Sequence, residues 1–188
     1  AKAKEWNLDP TRVAAAGGSA GSGISQWLAF RDDMAQPDAA DPVARQSTRL
    51  TCVLPLNMQC TYDPREIKKI VPGEAYKHPA LPPFFGCPEG WDWDKDAITP
   101  ELDAILKDSA PITHLTADDP PTFIYCNAGA EQVGNIHHPN FGRHLAAAME
   151  KLGIEHAFRL DSDYASVDDA YADMRKFMFK HFKMEVAE

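Results

Sequence analysis

The sequence predicts an α/β domain whose mostly parallel sheet is flanked by helices, and three observations carry that expectation. Short apolar or β-branched runs recur at residues 12–16, 49–56, 122–126 and 154–160, each bounded by turn-forming residues. Segments with apolar residues at helical spacing follow the later strands, at residues 139–152 and 167–183. Strands that alternate with helices are joined by crossovers, which make the strands parallel and cover both faces of the sheet.

Taken in order, the first strand runs into Gly17-Gly18-Ser19-Ala20-Gly21-Ser22-Gly23. Gly17, Ser19 and Gly21 fit G-x-S-x-G, a sharp strand-to-helix turn that lifts a serine above the sheet and requires small residues two before and two after it. The helix that follows aims its first amides at whatever the serine attacks, so the Ala20 N–H is a candidate oxyanion donor. Ile24, Trp27, Leu28 and Arg31 keep the helical spacing until the acidic, proline-containing stretch at 32–42 ends it. A buried strand is expected at 49–56, with Pro55 confined to its end. Residues 57–116 then change texture to prolines, aromatics and turns, a lid-like insertion with one predicted helix at 100–107 capped by Thr99. Trp91-Asp92-Trp93-Asp94 lies within it, and those aromatics are candidates to line a substrate cleft.

Regular alternation resumes with the strand at 122–126, the helix at 139–152, the strand at 154–160 and the closing helix at 167–183. Phe141, Leu145, Ala148, Met149 and Leu152 form one apolar stripe that Gly153 ends. Ala170, Tyr171, Met174, Phe177, Met178 and Phe182 form another, and both stripes read as core. The whole chain, residues 1–188, reads as one domain.

A net charge of −9 with no cluster of Lys or Arg argues against nucleic acid or an anionic membrane as partner. No apolar run is long enough to span a bilayer. Cys52, Cys60, Cys87 and Cys126 are too widely spaced for a C-x-x-C motif. Cys52 and Cys126 fall in strands and read as core, whereas Cys60 and Cys87 fall in irregular regions and are open to pairing. No cofactor and no metal are expected. Residues 1–6 read as the tail of a helix that precedes the first strand, and the chain starts without methionine or a signal-peptide core, so an upstream segment is expected.

The glycine turn has two other readings. One is a flexible linker, which a bracketing strand and helix disfavour. The other is a dinucleotide turn, because Gly17, Gly21 and Gly23 fit the G-x-x-x-G-x-G of short-chain dehydrogenases and Asn127-Ala128-Gly129 echoes a second piece of that family. That reading wants an acidic or basic residue after a second strand about 20 residues on, where this chain continues as helix. Its Tyr-x-x-x-Lys is missing too: the five tyrosines are followed four residues later by Glu66, Ala80, Gly129, Asp168 and Arg175.

Three stretches point elsewhere together: Leu8-Asp9-Pro10-Thr11-Arg12-Val13 leading into the serine turn, Ser109-Ala110-Pro111-Ile112-Thr113, and Asp119-Pro120-Pro121-Thr122-Phe123-Ile124-Tyr125. In order and spacing the chain resembles the C-terminal half of an α/β-hydrolase of the esterase and lipase type, from the nucleophile elbow onward. The resemblance implies a partial α/β-hydrolase fold without the N-terminal strands. It implies that Ser19 is the nucleophile and Ala20 an oxyanion amide, and that a carboxylic ester is cleaved through an acyl-serine intermediate. The His-Gly-Gly loop that gives the family its second oxyanion amide lies outside this chain. The strand at Val13 would then be a sheet edge, expected to be covered by a missing segment, a partner chain or a second copy.

Two positions depart from the family. Its acid belongs in the loop after the strand at 122–126, where this chain offers Glu131 as the nearest carboxylate. Its histidine belongs after the last strand, where this chain reads Asp161-Ser162-Asp163-Tyr164. His137 and His138 are candidates for a displaced base or, with Glu131, a metal site; the plain alternative is a helix-entry pair. His144 and His156 read as structural, and nothing singles out His78, His114 or His181. The expected function is a serine-esterase-like hydrolase, and the alternative is a catalytically impaired relative acting as a binding or structural module.

Overall fold

Four parallel strands form one sheet in the order β1-β2-β3-β4 in the computed structural model, which describes residues 1–185. They are β1 (Ala14–Gly18), β2 (Cys52–Leu56), β3 (Thr122–Cys126) and β4 (His156–Leu160). Their side chains alternate between two cores, as the pleat requires. Val53, Ile124 and Cys126 face a large core with α1 (Ala20–Phe30), α2 (Pro64–Ile70), α4 (Pro100–Ser109) and α5 (Asn140–Leu152). Cys52, Leu54 and Phe123 face a smaller one closed by Met174 of α6 (Val167–His181). Phe141, Leu145 and Met149 of α5 are fully buried, each stabilising the fold by roughly 1.5–3 kcal/mol.

The caps explain where the helices begin and end. Thr99 Oγ1 accepts from Leu102 N at 3.2 Å, and Pro100 follows at the first helical position. Gly153 ends α5 with φ +71°, a conformation that glycine adopts at no steric cost. The two predicted stripes are core with one exception each: Leu152 and Tyr171 are exposed. The strands and helices otherwise start or stop within a few residues of expectation.

Several local expectations are corrected. Residues 57–116 carry far more helix than the single one expected: α2, a 3-10 turn at Ala75–Lys77, the short α3 (Leu81–Phe84) and α4. The missed α2 has a readable start, since Asp63 caps it by accepting from Arg65 N at 2.9 Å and Pro64 opens it. Residues 3–7 form turns instead of a helix tail, with one local bond of helical spacing from Trp6 N to Lys2 O. Pro55 is the penultimate residue of β2, at its end as expected. The pairing of β2 with β3 is accordingly broken there, present at Val53–Thr122 and Leu56–Tyr125 with a gap between, because proline has no N–H to give. All four cysteines are free thiols, and burial pushes Cys126 up to about 12. Among the described residues β1 borders the sheet, with Val13 44% exposed.

Candidate functional site

The serine turn sits where β1 ends and α1 begins. Ser19 has φ +52° and ψ −120°, a strained conformation for a residue with a side chain. It is held there from both sides: its N–H donates to Leu56 O of β2 at 3.1 Å, and its carbonyl accepts from Ser22 N and Gly23 N at 2.9 and 3.2 Å. Gly17 is what lets strand and helix meet, for a Cβ there would lie 2.4 Å from the backbone carbonyl group of Gly21. Gly21 itself carries no such constraint: a Cβ on it would meet nothing within 4 Å. The close approach therefore falls on one glycine of the pair, not on both.

Serine is a favoured helix N-cap, yet the Ser19 hydroxyl makes no capping bond to α1. It lies 2.8 Å from His137 Nε2 instead, across 118 residues of chain. His137 rides on the loop between β3 and α5, where Asn135 Oδ1 accepts from its backbone N–H at 2.8 Å. The preceding carbonyl, Ile136 O, accepts from the buried Gln59 Nε2 at 2.9 Å. Gln59 is tied in turn to α1, its own carbonyl accepting from Gln26 Nε2 at 3.2 Å. The loop that carries the histidine is thus tethered to the helix that follows the serine.

The other candidates go elsewhere. His138 is buried and its Nδ1 accepts from Asn140 N at 3.1 Å, so it shapes the entry to α5. Glu131 gives its carboxylate to Arg143 at 2.7 Å, not to a histidine. Asp161, where the family's histidine was expected, accepts from Ala128 N and Ser162 N at 2.7 and 2.9 Å and so ties together the ends of β3 and β4. Trp91 and Trp93 meet edge to face, and Trp93 packs on Phe85 and the core, outside the cleft they were expected to line. Among the described residues no cluster of three or more His, Cys, Asp or Glu side chains has the geometry of a metal site. No helix there is long and apolar enough to cross a membrane.

A cavity of about 620 Å³ opens beside Ser19 and His137. Its walls come from α1 (Gly23, Ile24, Trp27) and from the segment after β2 (Tyr62, Leu81, Phe84). Sequence reasoning missed this second wall because Leu81 and Phe84 lie on a helix that was not expected, and Tyr62 lies in the irregular stretch just before α2. Ile24 and Trp27 did keep helical spacing, but α1 turns Ser22, Ser25, Gln26, Ala29 and Phe30 to the protein and leaves Ile24 for the cavity. His78 also lines the cavity. Partial burial lowers the pKa of His137 below the usual histidine value, and the neighbouring His78 adds to the effect when charged.

No protein-family model matches the sequence, and no curated protein is detectably similar to it. Solved structures do match its fold. An acetyl ester-xyloside bifunctional hydrolase from Caldicellulosiruptor lactoaceticus superposes with a TM-score of 0.70 at 16% identity, over 98% of this chain and 62% of its own. Thermogutta terrifontis esterase 2, in its sarin-phosphonylated form, gives 0.69 at 17% identity over 98% and 62%. A truncated carbohydrate esterase from gut microbiota gives 0.62 at 16% over 96% and 63%. The chain spans a little over three fifths of the length of each of these proteins. Strand order, parallel pairing and these superpositions together show a partial α/β-hydrolase fold of the kind seen in esterases.

Proposed function

We propose that this chain contributes the reacting serine and its base to a hydrolase of carboxylic esters. The observation that carries the reading is the strained Ser19, its hydroxyl 2.8 Å from His137 Nε2 at the mouth of a helix N-terminus. In this reading Ser19 Oγ bonds to the ester carbonyl carbon while its proton passes to His137 Nε2. The carbonyl oxygen gains the negative charge, and in this reading the Ala20 N–H at the start of α1 donates to it. Collapse of that intermediate breaks the bond to the alcohol oxygen, which leaves with the proton from His137. Water then repeats the sequence on the acyl-serine and releases the carboxylic acid. An open β1 edge at Val13 fits a neighbouring strand supplied by another segment or chain.

A second reading keeps the cavity and drops the chemistry. It is favoured by one observation: among the described residues no carboxylate hydrogen-bonds the other ring nitrogen of His137, so nothing orients the imidazole as an acid does in a full triad. One experiment separates the two. The protein and Ser19→Ala are treated with a fluorophosphonate probe and, separately, a nitrophenyl ester; covalent labelling and turnover in the first and neither in the second are expected. Equal background in both proteins would leave only the binding module.

Two further results are expected if the hydrolase reading holds. Protonated His137 has no lone pair to take the serine proton, so kcat/KM should rise with pH and level off. Its apparent pKa should lie below 6.5, given the direction of the shift, and His78→Gln should move it upward by removing a neighbouring charge. A pH profile with its midpoint above 7 would contradict this. Gln59→Leu should lower kcat by roughly 10- to 100-fold with little change in KM, because a displacement of about 1 Å in a reacting group is enough for such a loss. A change confined to KM would mean that Gln59 does not position the loop.

A further inference from the structure

The cavity beside Ser19 is walled with hydrocarbon where a sugar ring would need donors and acceptors. Most polar side chains that line it are already engaged: Gln59 with Ile136 O, Ser109 with Leu106 O, Asp108 with Arg31 and Trp27 Nε1 with Asp108 O, which leaves the Tyr62 hydroxyl and one ring nitrogen of His78. Seating a polyol against such a wall would strip its hydroxyls of water without replacing the lost bonds. Two of its lining residues are also among the most exposed large apolar side chains of the protein, Ile24 at 70% and Phe84 at 61%. An exposed apolar pair continuous with a cavity and a reactive serine marks a site for an apolar ligand.

The depth of the cavity has a specific cause. A Cβ on Gly23 would lie 1.8 Å from Tyr62 Oη, so the Tyr62 ring occupies the space that any larger residue at 23 would fill. Tyr62 in turn packs against Phe84, the rings tilted by 55° with centroids 5.6 Å apart. The wall is therefore a connected row, Gly23 to Tyr62 to Phe84, one turn of helix beyond the serine.

We propose that this cavity is the acyl site, that it takes a medium-length apolar acyl chain in preference to acetyl, and that Tyr62 seated against Gly23 sets its depth. The assignment rests on the reading of Ser19 as the attacking hydroxyl. A volume of about 620 Å³ leaves an acetyl group in contact with little of the wall, whereas each added methylene removes more apolar surface from water.

The test measures Ser19-dependent kcat/KM for nitrophenyl acetate, butyrate, hexanoate and octanoate, with the Ser19→Ala background subtracted. A gain of up to about fourfold per methylene, from about 0.8 kcal/mol per buried CH2, is expected from acetate to hexanoate. Ile24→Asp changes a position whose side chain is 70% exposed, and it should lower the hexanoate-to-acetate ratio at least about fivefold. Gly23→Ala should push Tyr62 inward and move the preferred chain to a shorter one. Ser19-dependent turnover with acetate equal to or better than hexanoate would overturn the acyl assignment and leave the hydrolase reading standing. So would an unchanged ratio in Ile24→Asp. An absence of Ser19-dependent turnover on every ester would overturn the hydrolase reading and the acyl assignment together.

Discussion

His137→Ala should lower kcat/KM for a nitrophenyl ester by only about 100-fold, and the smallness of that figure is informative. In a complete serine triad, loss of the histidine costs about 2 × 10⁶ in kcat and loss of the acid alone about 3 × 10⁴, the effects being far from additive. His137 has no carboxylate partner among the described residues, and Glu131 is engaged with Arg143. Most of the histidine's advantage is then already absent, and the remaining part is the ratio of those two numbers. The measurement is steady-state kinetics of the protein, Ser19→Ala and His137→Ala on one ester. A loss near 10⁶ would mean that an acid orients His137 after all, and no loss would remove it as the base. His138→Ala should instead lower the melting temperature, because Asn140 N–H would lose its buried acceptor.

Gly17→Ala should destabilise the protein by about 3 kcal/mol or more, at the upper end of overpacking costs. The added carbon would lie 2.4 Å from both the carbon and the oxygen of the Gly21 carbonyl and 2.9 Å from Ser22 N, all backbone atoms that no rotamer change can move aside. The N-terminus of α1 would have to lift from β1, taking Ser19 with it. Gly21→Ala should do the opposite. Nothing lies within 4 Å of its Cβ, and alanine is favoured over glycine in a helix, by less at this second position than the about 0.8–1.0 kcal/mol of a helix interior. Thermal denaturation separates the two, since 1 kcal/mol moves the midpoint by about 2–4 °C in a chain of this size. Equal losses in both variants would mean that the turn does not depend on the approach of Gly17 to Gly21.

The contrast between these glycines shows what a sequence pattern can carry. G-x-S-x-G correctly located a strand-to-helix corner with a strained serine, because that geometry is written into adjacent residues. It could not say which glycine bears the contact, because that depends on the angle at which α1 leaves β1. The sheet was legible for the same local reason: the apolar runs of β2 and β3 are buried on both faces, and their turns are close by in sequence. The cavity wall was not. Ile24 looks like part of an ordinary apolar helix face, yet Ser22, Ser25 and Gln26 take the buried side, and only the packed structure reveals the inversion. His137 and His138 are adjacent and chemically identical, and alternation of direction along the loop sends one to Ser19 and the other into the base of α5. Asp161 stands where a histidine was sought, and its role in joining two strand ends is a long-range bond that no local pattern records.

The Ser19–His137 contact also bears on how this chain acquires its structure. The two residues are 118 positions apart, and β2, β3 and the loop before α5 must all be in place before the imidazole reaches the hydroxyl. Closing so large a loop is entropically expensive, so such a contact belongs to the late stages of refolding. Local helices form orders of magnitude faster. Reactivity of Ser19 toward a covalent probe therefore reports completed folding, and during refolding from denaturant it should appear after the far-ultraviolet helical signal has recovered.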